Sequence, residues 1–282
     1  MLASSTSEIV AAVNSAEQIW SDGPRIPRLA RSDLHLWLVS LDRPWTTCSN
    51  LESLLAADER LRAGRFRAEL DRQRWVVARA TLRAMLGRYL DAHPSQVPLG
   101  RTPFGKPVLL GESRELDFSL SHADGLALIA IARGHRVGVD LELVRAISEL
   151  DRIAMRCFTP RERAEQRAQV GPARLLAFFN GWTRKEAFTK ATGEGLSRDL
   201  RGVEVTVTPG EPAQLRSLDG RDEDAARWFV RDVSPTPGFV GAVVAEGERF
   251  AVHRFRWSDR HQDPVGWVPS DGDEGGADTR TR

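Results

Sequence analysis

Two carboxylates one residue apart, Asp140 and Glu142, interrupt the apolar run Val137-Gly138-Val139-Asp140-Leu141-Glu142. On a strand both acids point to one face, with Cα atoms about 6–7 Å apart, while Val139 and Leu141 face a core. Such a pair can converge on one hard cation, with water and a substrate phosphate completing its shell. Gly138, on the acidic face, leaves room for a ligand there. The same pattern also suits the polar outer face of a half-buried strand. Further along, Trp182, Glu186 and Lys190 recur at i, i+4 in Trp182-Thr183-Arg184-Lys185-Glu186-Ala187-Phe188-Thr189-Lys190. On a helix they share one side, so Glu186 offers a third carboxylate and Lys190 a positive charge about 6 Å further along the axis. An ordinary surface Glu–Lys pair would look the same.

Lysine is scarce, 3 residues against 37 arginines. A chain that uses Arg for generic positive charge singles out Lys106, Lys185 and Lys190 as places where a compact, deprotonatable ammonium could matter. Lys106 lies in Pro103-Phe104-Gly105-Lys106-Pro107, a turn by composition. Ser121 and His122 end the alternating run Asp117-Phe118-Ser119-Leu120-Ser121-His122. A hydroxyl and an imidazole at a strand end can bind phosphate. They do not form a nucleophile pair, because neighbours on a strand point apart and no G-x-S-x-G surrounds Ser121.

The elements that must position these residues follow from hydrophobic periodicity. Strands are expected over residues 34–41, 117–122, 126–132, 136–143, 203–207, 239–245 and 250–255. Helical patterning covers 54–90, 147–169 and 172–191, the last ended by Gly193 and Gly195. Without regular βαβ alternation the expected class is α+β with largely antiparallel sheet. Residues 1–28 and 258–282 read as tails.

Composition narrows the function. A net charge of +1 argues against a protein that holds nucleic acid or anionic membrane through bulk charge. It likewise weighs against a metal-dependent nuclease, the other use of an acidic pair with lysine. Cys48 and Cys157 stand apart, outside any metal-site spacing, which fits a reducing compartment. No signal-type run or membrane-length apolar stretch occurs, so the cytoplasm is the expected location.

Taken in order, F-G-K-P (104–107), S-L-S-H (119–122), G-V-D-L-E (138–142), F-T-P-R-E (158–162) and W-T-R-K-E-A-F-T-K (182–190) closely resemble the surfactin-type 4'-phosphopantetheinyl transferases. The likeness covers most of 29–257. It implies two similar α+β halves, 29–136 and 137–257, with the site between them. It also implies transfer of the phosphopantetheine arm of coenzyme A to a serine of an apo acyl or peptidyl carrier protein, with Mg2+, by a monomer. By that resemblance Asp140, Glu142 and Glu186 are the metal ligands, and Lys190 contacts the reacting phosphate. Glu162 matches a proposed general base. Lys106, Ser121, His122 and Arg74 match coenzyme A contacts. The early basic pair is not cleanly matched, since Glu59 and Arg62 fall there and Arg62 acts alone. The arginines of 60–83 offer complementary charge to an acidic carrier.

Overall fold

The computed structural model of the chain describes residues 19–43 and 51–258. Cys48, Trp267 and, of the two expected tails, residues 1–18 and 259–282 lie outside them. The first half opens with strands β1 (Ser21–Asp22) and β2 (Asp33–Ser40), helices α1 (Ala57–Ala63) and α2 (Glu69–Leu90), and a small hairpin of β3 (Leu99–Arg101) and β4 (Pro107–Leu109). Strands β5 (Leu116–Ala123) and β6 (Leu126–Arg133) then lead to β7 (Val137–Leu143). The second half continues with α3 (Leu150–Cys157), α4 (Pro160–Ala168) and α5 (Pro172–Thr192). Strands β8 (Val203–Val205) and β9 (Leu215–Leu218), the short α6 (Asp222–Ala225), and strands β10 (Trp228–Val233), β11 (Phe239–Glu246) and β12 (Ala251–Arg256) complete it.

The layers run helix, sheet, sheet, helix. A five-stranded sheet of order β1-β12-β2-β6-β5 faces a three-stranded sheet of order β10-β11-β7. Trp37, Val39, Ile129 and Ile131 on one face of the larger sheet pack against Val76, Leu82 and Leu86 of α2. Leu34, Leu36, Leu128 and Ala130 on its other face meet Val137, Val139, Leu141 and Val243 of the smaller sheet. The outer face of the smaller sheet packs on Phe178, Ala187 and Phe188 of α5. Each half is thus a sheet with one long helix, and both strands and helices alternate as burial demands.

Four expectations change. Residues 19–28 are not tail: Trp20 is buried, and β1 pairs in parallel with β12. The helical pattern of 54–90 breaks at Gly64 into α1 and α2. The pattern of 147–169 breaks at Phe158, because Pro160 lacks the N–H that would continue α3 and instead opens α4. The strand read at 250–255 exists, but β12 pairs in parallel with β2 and so belongs to the first half's sheet.

Glu59, where the family pattern has a basic group, is buried in α1 and paired with Arg79 and Arg83 of α2. It also accepts the Ala56 N–H at 2.9 Å. Burial pushes its carboxyl up, but the bonds from Arg83, the Ala56 N–H and Arg79 outweigh burial and hold it below the ordinary value of 4.5. A folded-state pKa below the unfolded one makes its stabilisation full above pH 4.5, and lost as pH falls through the lower value. Glu59→Gln should therefore destabilise by about 3–5 kcal/mol at neutral pH, the cost of stranding buried charge. Urea denaturation should show that gap closing below pH 4.5.

Candidate active site

The two halves meet along β5 and β7, which belong to different sheets. No backbone ladder joins them; side chains do. Asp117 Oδ2 accepts the Val137 N–H at 2.8 Å, Ser119 Oγ that of Val139 at 3.1 Å, and Ser121 Oγ that of Leu141 at 3.3 Å. Alternate residues of β5 thus take the place of carbonyls for alternate residues of β7, following the period-two geometry of both strands. Lys106, in the β3–β4 turn, donates to Asp117 at 2.9 Å and to the Val137 carbonyl at 3.2 Å.

At one end of this seam a cleft of about 380 Å³ is lined by Leu120, Ser121, His122, Asp140, Leu141, Glu142, Trp182, Glu186 and Lys190. Strand β7 supplies two carboxylates and helix α5 supplies Trp182, Glu186 and Lys190, as the spacing required. The Ser121 hydroxyl donates to Asp140 Oδ1 at 2.9 Å and accepts from Lys190 Nζ at 2.9 Å, besides the Leu141 N–H. Its donor and both lone pairs are used. Lys190 Nζ also donates to Asp140 Oδ1 at 2.6 Å, and Trp182 Nε1 donates to Glu142 Oε1 at 3.2 Å. Trp182 is thereby a site residue as well as a packing one.

Two carboxylate oxygens here, Asp140 Oδ2 and Glu186 Oε1, are buried without a hydrogen-bond partner. Burial first, then the neighbouring acids, push the Glu142 and Glu186 carboxyls upward. Orphaned anionic oxygens and mutual repulsion are what a bound cation relieves, and an all-oxygen set suits Mg2+. The residues therefore fit such an ion, although the three carboxylates do not yet offer ligand atoms all within 4.8 Å of one another.

Gly138 does not leave room for a ligand. A Cβ there would stand 1.9 Å from the Ala187 carbonyl oxygen and 2.4 Å from the Ala191 nitrogen. The residue is small because α5 crosses β7 at that point, and that close crossing brings Glu186 and Lys190 over Asp140.

The remaining site candidates divide. His122 is on the cleft wall, and burial, then Lys190 and Arg74, lower its pKa. Arg74 bonds Asp42 at 2.7 Å and pairs with Asp124 at 3.2 Å. Arg62 lies over the Trp75 ring, 5.6 Å from its centroid, and is not among the residues lining the cleft. Arg79 and Arg83, in the stretch expected to meet an acidic partner, are instead committed to Glu59 inside the protein. Lys106 borders a second hollow of about 240 Å³, with Phe104, Pro107 and Phe118, that shares Leu120, Glu186 and Lys190 with the cleft.

Glu162 stands apart from the cleft and is fully buried. It closes a capping box at the start of α4, with Oε2 accepting the Thr159 N–H at 2.7 Å. Oε1 accepts the Val205 N–H at 2.8 Å, and Lys185 Nζ lies 2.7 Å from Oε2. Lys185, equally buried, spends its other protons on the Leu200 and Val203 carbonyls. Beside it Arg184 forks onto Asp232 at 2.9 and 2.6 Å and reaches the Thr206 hydroxyl at 3.0 Å. Sequence reasoning missed this pair of anchors; the scarcity of lysine marked Lys185 but not whether it faced substrate or core.

The sequence agrees with known proteins along its length. A family model described as 4'-phosphopantetheinyl transferase superfamily matches residues 136–244, and one described as 4'-phosphopantetheinyl transferase, N-terminal, matches 43–133. The chain is 36% identical over 233 residues to the 4'-phosphopantetheinyl transferase HetI of Nostoc sp., covering 82% of this chain and 95% of that one. It is 23% identical over 214 residues to the 4'-phosphopantetheinyl transferase Sfp of Bacillus subtilis, covering 75% and 92%. It is 30% identical over 176 residues to the human L-aminoadipate-semialdehyde dehydrogenase-phosphopantetheinyl transferase, covering 57% of each. The chain belongs to the 4'-phosphopantetheinyl transferase family and is an enzyme of that class. Among the described residues no helix is long and apolar enough to cross a membrane.

The buried ion pair yields a test that separates support from chemistry. Glu162→Gln leaves the Lys185 ammonium without its counter-charge and should cost about 3–5 kcal/mol of stability in urea titration. Retained stability with a collapsed turnover rate would instead make Glu162 a reacting group.

Proposed function

We propose that the cleft transfers the 4'-phosphopantetheine arm of coenzyme A to a serine hydroxyl of an apo acyl or peptidyl carrier protein and releases adenosine 3',5'-bisphosphate. The serine oxygen bonds to the phosphorus that bears pantetheine, the bond from that phosphorus to the bridging oxygen breaks, and the hydroxyl proton leaves to a base. The single observation that carries the reading is the gathering of Asp140, Glu142, Glu186 and Lys190 on one cleft wall, with two carboxylate oxygens left unpartnered.

Asp140, Glu142 and Glu186 would hold Mg2+, which when bound offsets charge on the pyrophosphate oxygens. Lys190 places its ammonium where the leaving oxygen gathers charge. His122, with Arg74 nearby, supplies a polar wall for the 3'-phosphate, and Ser121 holds Asp140 and Lys190 in register. Arg62 and Lys106 remain candidate coenzyme contacts. Lys106 lines the adjoining hollow, whose Phe104, Pro107 and Phe118 suit the pantetheine arm. With both Glu162 oxygens committed in the core, Glu186 is the carboxylate better placed to take the serine proton. A monomer in the cytoplasm, serving the carriers of polyketide, nonribosomal peptide or fatty acid synthesis, fits this reading.

The test is the intact mass of an apo carrier protein after incubation with coenzyme A and Mg2+. The wild type should add one phosphopantetheine. Asp140→Ala and Glu186→Ala should lose at least about 100-fold in rate, a typical cost of removing charge stabilisation from a transition state, while remaining folded by circular dichroism. Full turnover in either variant at saturating Mg2+ removes the ligand assignment, and no mass gain across several carriers removes the reading.

A further inference from the structure

A second set of metal-ligating side chains stands well away from the seam, on the sheet of the first half. His35 on β2 lies directly opposite His253 on β12 in the parallel register. Asp33 precedes His35 by two residues and so shares its face. Each of the three offers one ligand atom within 4.8 Å of the other two. His253 Nε2 is 3.7 Å from Asp33 Oδ1, and the two imidazole rings sit edge to face with centroids 5.3 Å apart.

Each member is oriented by a further partner, the arrangement that ligating side chains need. Tyr89 Oη, at the end of α2, is 2.6 Å from His35 Nδ1 and accepts from Trp37 Nε1 at 2.8 Å. That engagement makes Nε2 the ring nitrogen of His35 available for ligation. Asp33 Oδ2 accepts the Ala30 N–H at 3.2 Å, which turns Oδ1 toward His253. The His253 ring stacks at 8° to the Phe255 ring. The His253 side chain is 46% exposed, which leaves an open approach from solvent.

We propose that Asp33, His35 and His253 form a binding site for a divalent transition metal of the zinc class, which ties β12 to β2. Two imidazoles and one carboxylate suit Zn2+, Co2+, Ni2+ or Cu2+ and not the all-oxygen preference of Mg2+. Three protein ligands leave the fourth tetrahedral position to water. A tetrahedron with bonds of roughly 2.0–2.1 Å has edges of about 3.3 Å. The observed 3.7 Å between His253 Nε2 and Asp33 Oδ1 therefore needs to close by only a few tenths of an ångström. Ligation through Nε2 sets the tautomer in which His35 Nδ1–H donates to Tyr89 Oη.

The experiment uses the full chain, stripped with chelator and titrated with Zn2+ by calorimetry and with Co2+ by visible absorption. One equivalent of high-affinity metal is expected, with tetrahedral Co2+ bands and a melting temperature that rises with free metal. That equivalent should vanish in His253→Ala and in Asp33→Asn. His253 is half-exposed, so its removal leaves the apo melting temperature and the Mg2+-dependent transfer rate at wild-type values. It should persist in Asp140→Ala, whose lesion lies in the cleft. Absence of binding at micromolar metal, survival of the equivalent in His253→Ala, or its loss in Asp140→Ala each overturns the assignment.

Discussion

The structure depends on three side-chain acceptors that replace a backbone ladder. Asp117, Ser119 and Ser121 take the N–H groups of Val137, Val139 and Leu141, and so hold the smaller sheet against the face of the larger one. Buried N–H groups without partners would cost more than such bonds contribute. The register of β5 against β7 is therefore fixed to the residue. Since Ser121 also bonds Asp140 and Lys190, the contact that joins the halves is the contact that places a carboxylate and the ammonium of the cleft. Assembly of the fold and assembly of the site are one event.

Helix α5 does the complementary task from the other side. Its cleft-facing residues Trp182, Glu186 and Lys190 must keep their rotation about the helix axis. Its opposite side carries Arg184 and Lys185, both fully buried and paired with Asp232 and Glu162. A buried pair adds little net stability over an apolar one, yet it tolerates no change of phase, because rotation would strand two charges in the core. Glycine at 138 and alanine at 187 and 191 then allow the helix backbone to lie directly on β7.

Much of this was legible in the sequence where one residue type carries one meaning. The period-two run at 117–122 and the i, i+4 series at 182–190 gave the strand, the helix and the cleft wall, because periodicity depends only on local geometry. What stayed hidden depends on what comes next to a residue in space. Gly138 reads as vacancy until a helix is seen to fill it. Glu162 and Lys185 read as chemistry until their burial appears, since a polar side chain in a motif carries no mark of which way it faces. Glu59 would be misplaced by pattern alone, yet it anchors α1 to α2 through Arg79 and Arg83. Strands β3, β4 and β9 escaped because they are partly exposed and too brief for a period to show, and β10 because its burial does not alternate.

Strand β12 sits between β1 and β2, so the larger sheet is built from opposite ends of the described chain. As synthesis proceeds from the N-terminus, β2, β6 and β5 emerge long before the strand that covers the outer side of β2. Until residues 251–256 leave the ribosome, that side is an uncovered, apolar β-edge carrying Leu34, Leu36 and Trp37, the kind of surface that recruits stray strands. The nascent protein thus passes through a sticky interval that closes only once β12 has emerged, and a chaperone acting on it has a defined place and moment to bind.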